Sequence, residues 1–127
     1  MSKQKNGRED WEFIAKEKYR KKPKTCELEL EIISAYNQLE PDISYGVRID
    51  DLWKQTQNIS PDISFKDFEQ VLLKWIHTFI TDVDPSVGVS LKEQKIIYDP
   101  HVYQGTYFHY IKIKKNVQDW LKEKCIL

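Results

Sequence analysis

The side chains with the clearest chemical pattern are aromatic rings and lysines that alternate near the end of the chain. Residues 107–115 read YFHYIKIKK, and successive side chains of a strand point to opposite faces. We therefore expect Ile111 and Ile113 to be buried. The outer face would then hold Phe108, Tyr110, Lys112 and Lys114. Lysines neutralise phosphates, and each ring stacks on a base for about 1–3 kcal/mol. The same face is equally suited to pack under the N-terminal helix or against a second subunit.

A second group of cations lies at the start of the chain. Residues 1–24 contain nine Lys or Arg and four Asp or Glu, which gives a net charge of +5. The cations of this arm nearest the fold are Lys16, Lys18, Arg20, Lys21, Lys22 and Lys24. Such an arm predicts salt-sensitive binding to phosphates, and a solubilising basic tail is the alternative. We assign Lys95 and Lys115, beside the alternating segment, to the same phosphate surface.

The rest of the chain is unevenly charged, although the total is zero. Residues 25–86 contain four basic and twelve acidic residues, a net charge of −8. Residues 87–127 contain seven basic and four acidic residues, a net charge of +3. An acidic middle of this kind suits a basic partner, whereas solvated helix faces are the simpler explanation.

Hydrophobic periodicity predicts three helices in the first two thirds of the chain. An apolar stripe over residues 25–39 indicates a core helix that ends before Pro41. After an extended piece at residues 45–49, Asp50 is the expected N-cap of a helix over residues 51–57. The third helix, over residues 65–79, has a wide apolar stripe, and its start carries the capping-box pair Ser64 and Asp67.

The remaining third of the chain changes to the period of strands. Residues 87–91, 95–99 and 107–115 alternate or are rich in strand-forming residues, and a loop with Pro100 and Gly105 separates the last two segments. A final amphipathic helix is predicted from residue 116 onward.

The predicted order of elements resembles the winged helix-turn-helix superfamily over residues 25–115. That order is arm, helix, short extended piece, helix, turn, helix, hairpin and helix. The resemblance implies an α+β fold with a three-helix core and a β-hairpin wing. Residues 1–24 would be an N-terminal basic arm with a short helix, and residues 116–127 a C-terminal helix. Proteins of this superfamily are mostly recognition modules for nucleic acid or protein. In the DNA-binding members the third helix enters the major groove and the wing touches the backbone.

The exposed side of the predicted third helix is a poor match to a DNA groove. Its polar residues include Asp67 and Glu69, which phosphates repel, and no arginine that could contact guanine. We therefore assign only a secondary contact role to three of its residues: Lys66, Gln70 and Lys74.

Catalytic and metal sites are not expected. Asp84 followed by Glu93 and Lys95 weakly matches a nuclease pattern, but a loop and a hairpin do not place such carboxylates on adjacent central strands. The three histidines have no metal-ligand spacing, and no cofactor motif is present. Cys26 and Cys125 belong to no CxxC pair. From these cysteines we expect no disulfide framework and an intracellular location, cytoplasmic or nuclear.

Two functions follow as expectations. The first is a small winged-helix protein that binds nucleic acid, specifically double-stranded DNA, in transcription or replication, through its arm and wing. The alternative is a winged-helix protein-protein interaction subunit of a larger complex, which the acidic middle and the four tryptophans favour. Pairing of the last helix through Trp120 and Leu121 would give a homodimer. No apolar run is long enough to span a membrane, so no membrane contact is expected.

Overall fold

The computed structural model describes residues 24–90, 94–102 and 104–126, and in this part of the chain the fold is α+β. The helices of these residues are α1 (Lys24–Gln38), α2 (Ile49–Ile59), α3 (Phe65–Thr78) and α4 (Lys115–Ile126). The strands are β1 (Val47–Arg48), β2 (Val83–Ser86), β3 (Ile97–Asp99), β4 (Thr106–Phe108) and β5 (Tyr110–Ile113). In the same ranges, every helix is too short or too polar to cross a lipid bilayer. The short helix predicted within residues 1–24 lies outside the described residues.

The predicted helices over residues 25–39 and 65–79 are confirmed as α1 and α3, because their apolar stripes are buried together. Phe68, Leu72 and Trp75 of α3 are fully buried and pack in one cluster with Ile32 and Ile33 of α1. The aromatic ring of Trp53 on α2 contacts the Phe68 ring, with centroids 5.2 Å apart. A single core therefore joins the three helices.

Ser64 caps α3 as predicted. Its side-chain oxygen accepts a hydrogen bond from the Asp67 backbone N–H at 3.1 Å. Because Ser64→Ala removes this acceptor, we expect it to lower the free energy of unfolding by about 1 kcal/mol. Urea denaturation would measure the change, and Ser44→Ala, at another exposed loop position, serves as the control. An unchanged midpoint of urea denaturation for Ser64→Ala would mean that the cap does not contribute to stability.

Asp50 is not the N-cap of α2, which corrects the prediction. The cap position is taken by Arg48, and α2 already begins at Ile49. The reason is tertiary, because the Ile49 backbone N–H donates to the His109 carbonyl oxygen at 2.8 Å, and the fully buried Ile49 side chain belongs to the core. Asp50 lies in the first turn, where its carboxylate accepts from the Lys95 backbone N–H.

Three strands form an antiparallel sheet in the order β1-β5-β2. Its central strand pairs Ile111 with Val47 on one side and with Pro85 on the other. Val83 opposite Ile113 is fully buried, so one face of the sheet closes the helical core. The predicted strand over residues 87–91 is wrong for residues 87–90, since the strand forms earlier and Val87 and Val89 are exposed, and residue 91 lies outside the described residues. Val83 enters β2 directly from the helix, because its N–H already bonds to the Phe79 carbonyl.

The predicted single strand over residues 107–115 is two strands that belong to different sheets. β4 pairs with β3 in a separate hairpin, and β5 begins after His109. The His109 backbone N–H donates to the Ser86 carbonyl at 2.9 Å, and this bond holds the chain at the change of sheet. The alternation of side chains between the two faces is therefore interrupted at His109.

A disulfide joins the two ends of the described fold, which corrects the expectation from the cysteine spacing. Cys26 on α1 and Cys125 on α4 are bonded, with their Cα atoms 5.5 Å apart. The pairing depends on α4 packing beside α1, where Val117 and Leu121 enter the core. Cys26 and Cys125 are therefore no indication of a reducing compartment.

Candidate interaction surface

The lysines of β5 and of the residues that follow it lie near carboxylates. Lys112 lies directly opposite Asp84 on the neighbouring strand, and both belong to the outer face of the sheet. Lys114 Nζ lies 3.9 Å from an Asp82 oxygen. Lys115 Nζ lies 3.3 Å from Asp119 in the first turns of α4. Each carboxylate would repel a phosphate brought to these lysines, so the positive field predicted for this surface is largely cancelled.

The two rings predicted to stack on bases lie in different environments. Phe108 is buried with the core, because β4 and β5 diverge at His109, and its assignment to the outer face is wrong. Tyr110 is on the outer face but half-buried. The Arg48 guanidinium donates to its hydroxyl, and the Tyr45 ring meets it edge-on at 4.9 Å.

The other predicted contact residues are dispersed over the fold. Lys95 Nζ lies 5.0 Å from the centre of the Phe65 ring, a cation–π contact with the first residue of α3. Lys66 and Gln70 are exposed on α3. Lys24 is the first residue of α1, and its side chain is outside the description. The remaining arm residues lie outside the described residues: Lys16, Lys18, Arg20, Lys21 and Lys22.

The β3–β4 hairpin is fastened to the outer side of α3. The Tyr98 backbone N–H donates to Glu69 at 3.1 Å. His77 Nε2 lies 2.6 Å from an oxygen of Asp99, whose side chain is fully buried. The other Asp99 oxygen accepts from the His101 backbone N–H. For α3 to enter a DNA groove with the side that carries Glu69 and His77, the hairpin would have to move away.

A cleft of about 530 Å³ remains between α3 and the hairpin, and its walls include Gln70, Lys74, His77, Tyr98 and His101. Two of its polar groups already have partners within the fold. Lys74 is bound to Glu29 at 3.1 Å, and His77 is bound to Asp99. The cleft therefore presents few groups that are available to a charged ligand.

Ser90 and His109 lie as close together as a nucleophile and its general base, but the hydrogen bonds of His109 do not fit that role. His109 Nε2 lies 2.7 Å from the Ser90 hydroxyl oxygen, and His109 Nδ1 accepts from the Gly88 backbone N–H at 3.0 Å. In the neutral ring the proton must then be on Nε2, which donates to Ser90. A general base has to accept the proton of its nucleophile, so this pair does not activate the hydroxyl.

A second cleft combines exposed carboxylates with exposed apolar side chains, and we call it the acidic cleft. It has a volume of about 550 Å³ and is lined by the loop from Leu39 to Arg48 together with Asp51. Its exposed acidic residues are Glu40, Asp42 and Asp51. Between them, Ile43 is 86% exposed and Tyr45 is 49% exposed.

The loop that forms the acidic cleft is held by its own backbone. Asp42 and Gly46 exchange two backbone hydrogen bonds, of 2.8 and 2.9 Å. The Asp42 carboxylate also accepts from the Ser44 N–H at 2.8 Å. Gly46 has a φ of +80°, and a Cβ there would lie 2.1 Å from the Ile111 carbonyl oxygen, so only glycine fits against β5. Ile43 is thus presented on a tight, ordered turn. The sequence indicated an acidic middle of the chain that suits a basic partner, but it did not indicate this cleft, because residues 40–46 have no periodicity.

Asp50 lies behind the cleft and ties α2 to the segment before β3. Its oxygens accept from the Lys95 N–H at 2.8 Å and pair with Lys54 at 3.0 Å. Burial alone would raise the pKa of the Asp50 carboxyl, but these hydrogen bonds and the charge of Lys54 outweigh it and lower that pKa. The group therefore stays ionised and its contribution to stability is lost only as the pH falls through this lowered pKa.

Among the described residues, one group has the donor atoms of a metal site. The Cys26 and Cys125 sulfurs and a Glu29 oxygen all lie within 4.8 Å of one another, and all three residues are buried. Glu29 also accepts from the Trp75 indole N–H at 2.9 Å. The sequence did not indicate this group, since the two cysteines are separated by 99 positions.

The predicted dimer contact through α4 is only partly accessible. Leu121 is buried in the core of its own chain, which corrects its assignment to a subunit interface. Trp120 is 47% exposed, and its ring packs on Phe79 with centroids 5.5 Å apart.

Comparison of the whole chain with known proteins finds no matching family, no matching curated protein and no matching solved structure.

Proposed function

We propose that this chain contains a winged-helix domain that binds another protein through its acidic cleft. The order α1, β1, α2, α3, β2 and β5 supports the first part, because a helix-turn-helix is followed by two antiparallel strands. The sheet order β1-β5-β2 supports it as well, since the strand after α1 pairs with the last strand of the wing. The β3–β4 hairpin would then be an extension of the wing.

A protein partner is favoured over DNA because the cations near the wing lie beside carboxylates, whereas the carboxylates of the acidic cleft are exposed. Lys112 and Lys114, at the end of the proposed wing, and Lys115, at the start of α4, each lie near a carboxylate. The acidic cleft, by contrast, is lined by exposed carboxylates and by the exposed Ile43. Apolar side chains within a charged rim are typical of protein interfaces. A partner that fits is a basic protein segment with an apolar residue that packs on Ile43 and Tyr45.

DNA binding remains a prediction that depends on the arm, and one measurement separates it from the proposed function. The full chain would be titrated with duplex DNA between about 50 and 200 mM salt. We expect the charge-neutralising double variant Lys112→Gln and Lys114→Gln to bind DNA nearly as the unchanged chain does, because Lys112 lies opposite Asp84 and Lys114 is paired with Asp82. A large loss of affinity in this variant would mean that the wing binds phosphate, and our proposal would be wrong.

The acidic cleft itself is tested by capture of the partner with matched variants. The double variant Ile43→Ser and Asp51→Lys removes the apolar centre and reverses one charge of the rim. Its control, Ile80→Ser and Asp62→Lys, makes the same changes at exposed positions outside the cleft. We expect the unchanged chain and the control to retain a basic protein in stoichiometric amount, and the cleft variant to lose it. Equal capture by both variants, or no stoichiometric partner, would contradict the proposal.

A further inference from the structure

The disulfide between α1 and α4 lies beside a buried carboxylate, that of Glu29. Cys26 and Glu29 are three residues apart on α1, so they lie on one side of the helix, and Cys125 meets them from α4. Glu29 is 1% exposed. Carboxylates are almost never fully buried unless they are paired or coordinate a metal.

The two oxygens of Glu29 have different surroundings. Oε2 accepts from the Trp75 indole N–H at 2.9 Å and lies 3.1 Å from Lys74 Nζ. Oε1 instead faces Cys125 Sγ at 4.0 Å. A sulfur in a disulfide carries no proton, so it gives this oxygen no hydrogen bond. The side of Glu29 that faces the cysteines therefore suits a thiol or a cation better than a disulfide.

We propose that, when the disulfide is reduced, Cys26, Cys125 and Glu29 bind a zinc ion. An external dithiol would reduce the S–S bond and become a disulfide itself, which leaves two thiols in the protein. Zn²⁺ then replaces the two thiol protons, which go to water. Two thiolates and a carboxylate are ligands that zinc takes in proteins, and thiolates disfavour Mg²⁺ and Ca²⁺. The fourth position of the tetrahedron is left to water or another exchangeable ligand.

The charges of the group are balanced in both states. In the oxidised state the carboxylate of Glu29 is paired with the Lys74 ammonium. In the zinc state two thiolates and the carboxylate contribute three negative charges, and zinc with Lys74 contributes three positive charges. Neither state leaves an uncompensated charge in the buried site, which would be costly. Reduction would thus exchange a covalent connection between α1 and α4 for a coordinate one, independently of the acidic cleft.

Cobalt provides a visible probe of this site in the full-length chain. After reduction with a phosphine, we expect one equivalent of Co²⁺ to give the absorption of a tetrahedral ion and a thiolate-to-metal charge-transfer band, and Zn²⁺ to displace it. Glu29→Gln should weaken the affinity by at least about tenfold, as loss of a metal-site group does. Glu31→Gln, at a half-buried position of the same helix, is the control. The absence of the charge-transfer band, or equal affinities for the two variants, would overturn the proposal.

A second measurement uses only the unchanged chain, so its result does not depend on whether a variant folds. In the reduced, unchanged chain, Zn²⁺ should slow alkylation of both cysteines and raise the melting temperature, whereas Mg²⁺ should do neither. Alkylation rates that are the same with and without Zn²⁺ would show that the thiols do not bind it.

Discussion

Trp75→Ala is expected to lower the free energy of unfolding by about 5 kcal/mol, at the upper end for a buried aromatic residue. Trp75 is fully buried and belongs to the hydrophobic core that joins the helices and the sheet. The change also removes the indole N–H that Glu29 accepts. Loss of a hydrogen bond to a charged group adds about 1.5–3 kcal/mol to the cavity cost if the carboxylate stays buried. Urea denaturation followed by circular dichroism measures the difference.

Trp120→Ala is the matched control, because the same residue type is 47% exposed on α4. Its loss should be below about 1 kcal/mol, as for most surface substitutions. Should Trp75→Ala fail to fold, Trp75→Phe retains a ring and removes the N–H, so its cost reports mainly on the contact with Glu29. Equal midpoints for Trp75→Ala and Trp120→Ala would contradict the burial of Trp75.

Replacing both cysteines by serine is expected to lower the free energy of unfolding by about 4–5 kcal/mol in oxidising buffer without metal, in the chain-entropy account of disulfides. The bond joins residues that are 99 positions apart, so it restricts nearly the whole unfolded described chain. Longer closed loops lose more unfolded-state entropy, which is why this bond is expected to be worth more than one within a short loop.

The unchanged chain in phosphine and a chelator provides the control for the serine substitutions. It should lose nearly as much stability as the double variant, since both lack the cross-link. Addition of Zn²⁺ to the reduced unchanged chain, after removal of the chelator, should then restore part of the loss, and the double variant should not respond. If the double variant unfolds at the same urea concentration as the oxidised chain, Cys26 and Cys125 do not form a stabilising bond.

The helices were predictable because their signals are local. The apolar positions of α1 and α3 recur at the helical period, and the Ser64 cap with Asp67 depends on residues three apart. The strand signals were less reliable, since strands are paired by distant partners. The alternation over residues 107–115 was real in β5 but said nothing about His109, where the chain leaves one sheet for the other.

The candidate sites were mostly hidden from the sequence. Lysines in an alternating segment looked free, but only the sheet register brings Asp84 opposite Lys112. Similarly, the sequence showed the acidic character of the middle of the chain but not the acidic cleft, in which Ile43 is exposed because the Asp42–Gly46 turn packs its backbone on β5.

The α+β character, the central helices and the uneven charge could be read from the amino-acid order, because each depends on neighbours along the chain. Which cations and rings of residues 107–115 stay available depends instead on how distant segments pack. The tertiary structure buries Phe108, pairs Lys114 with Asp82 and joins Cys26 to Cys125. These outcomes depend on which distant segments meet, and a pattern within one segment carries no information about the charge or shape of its partner.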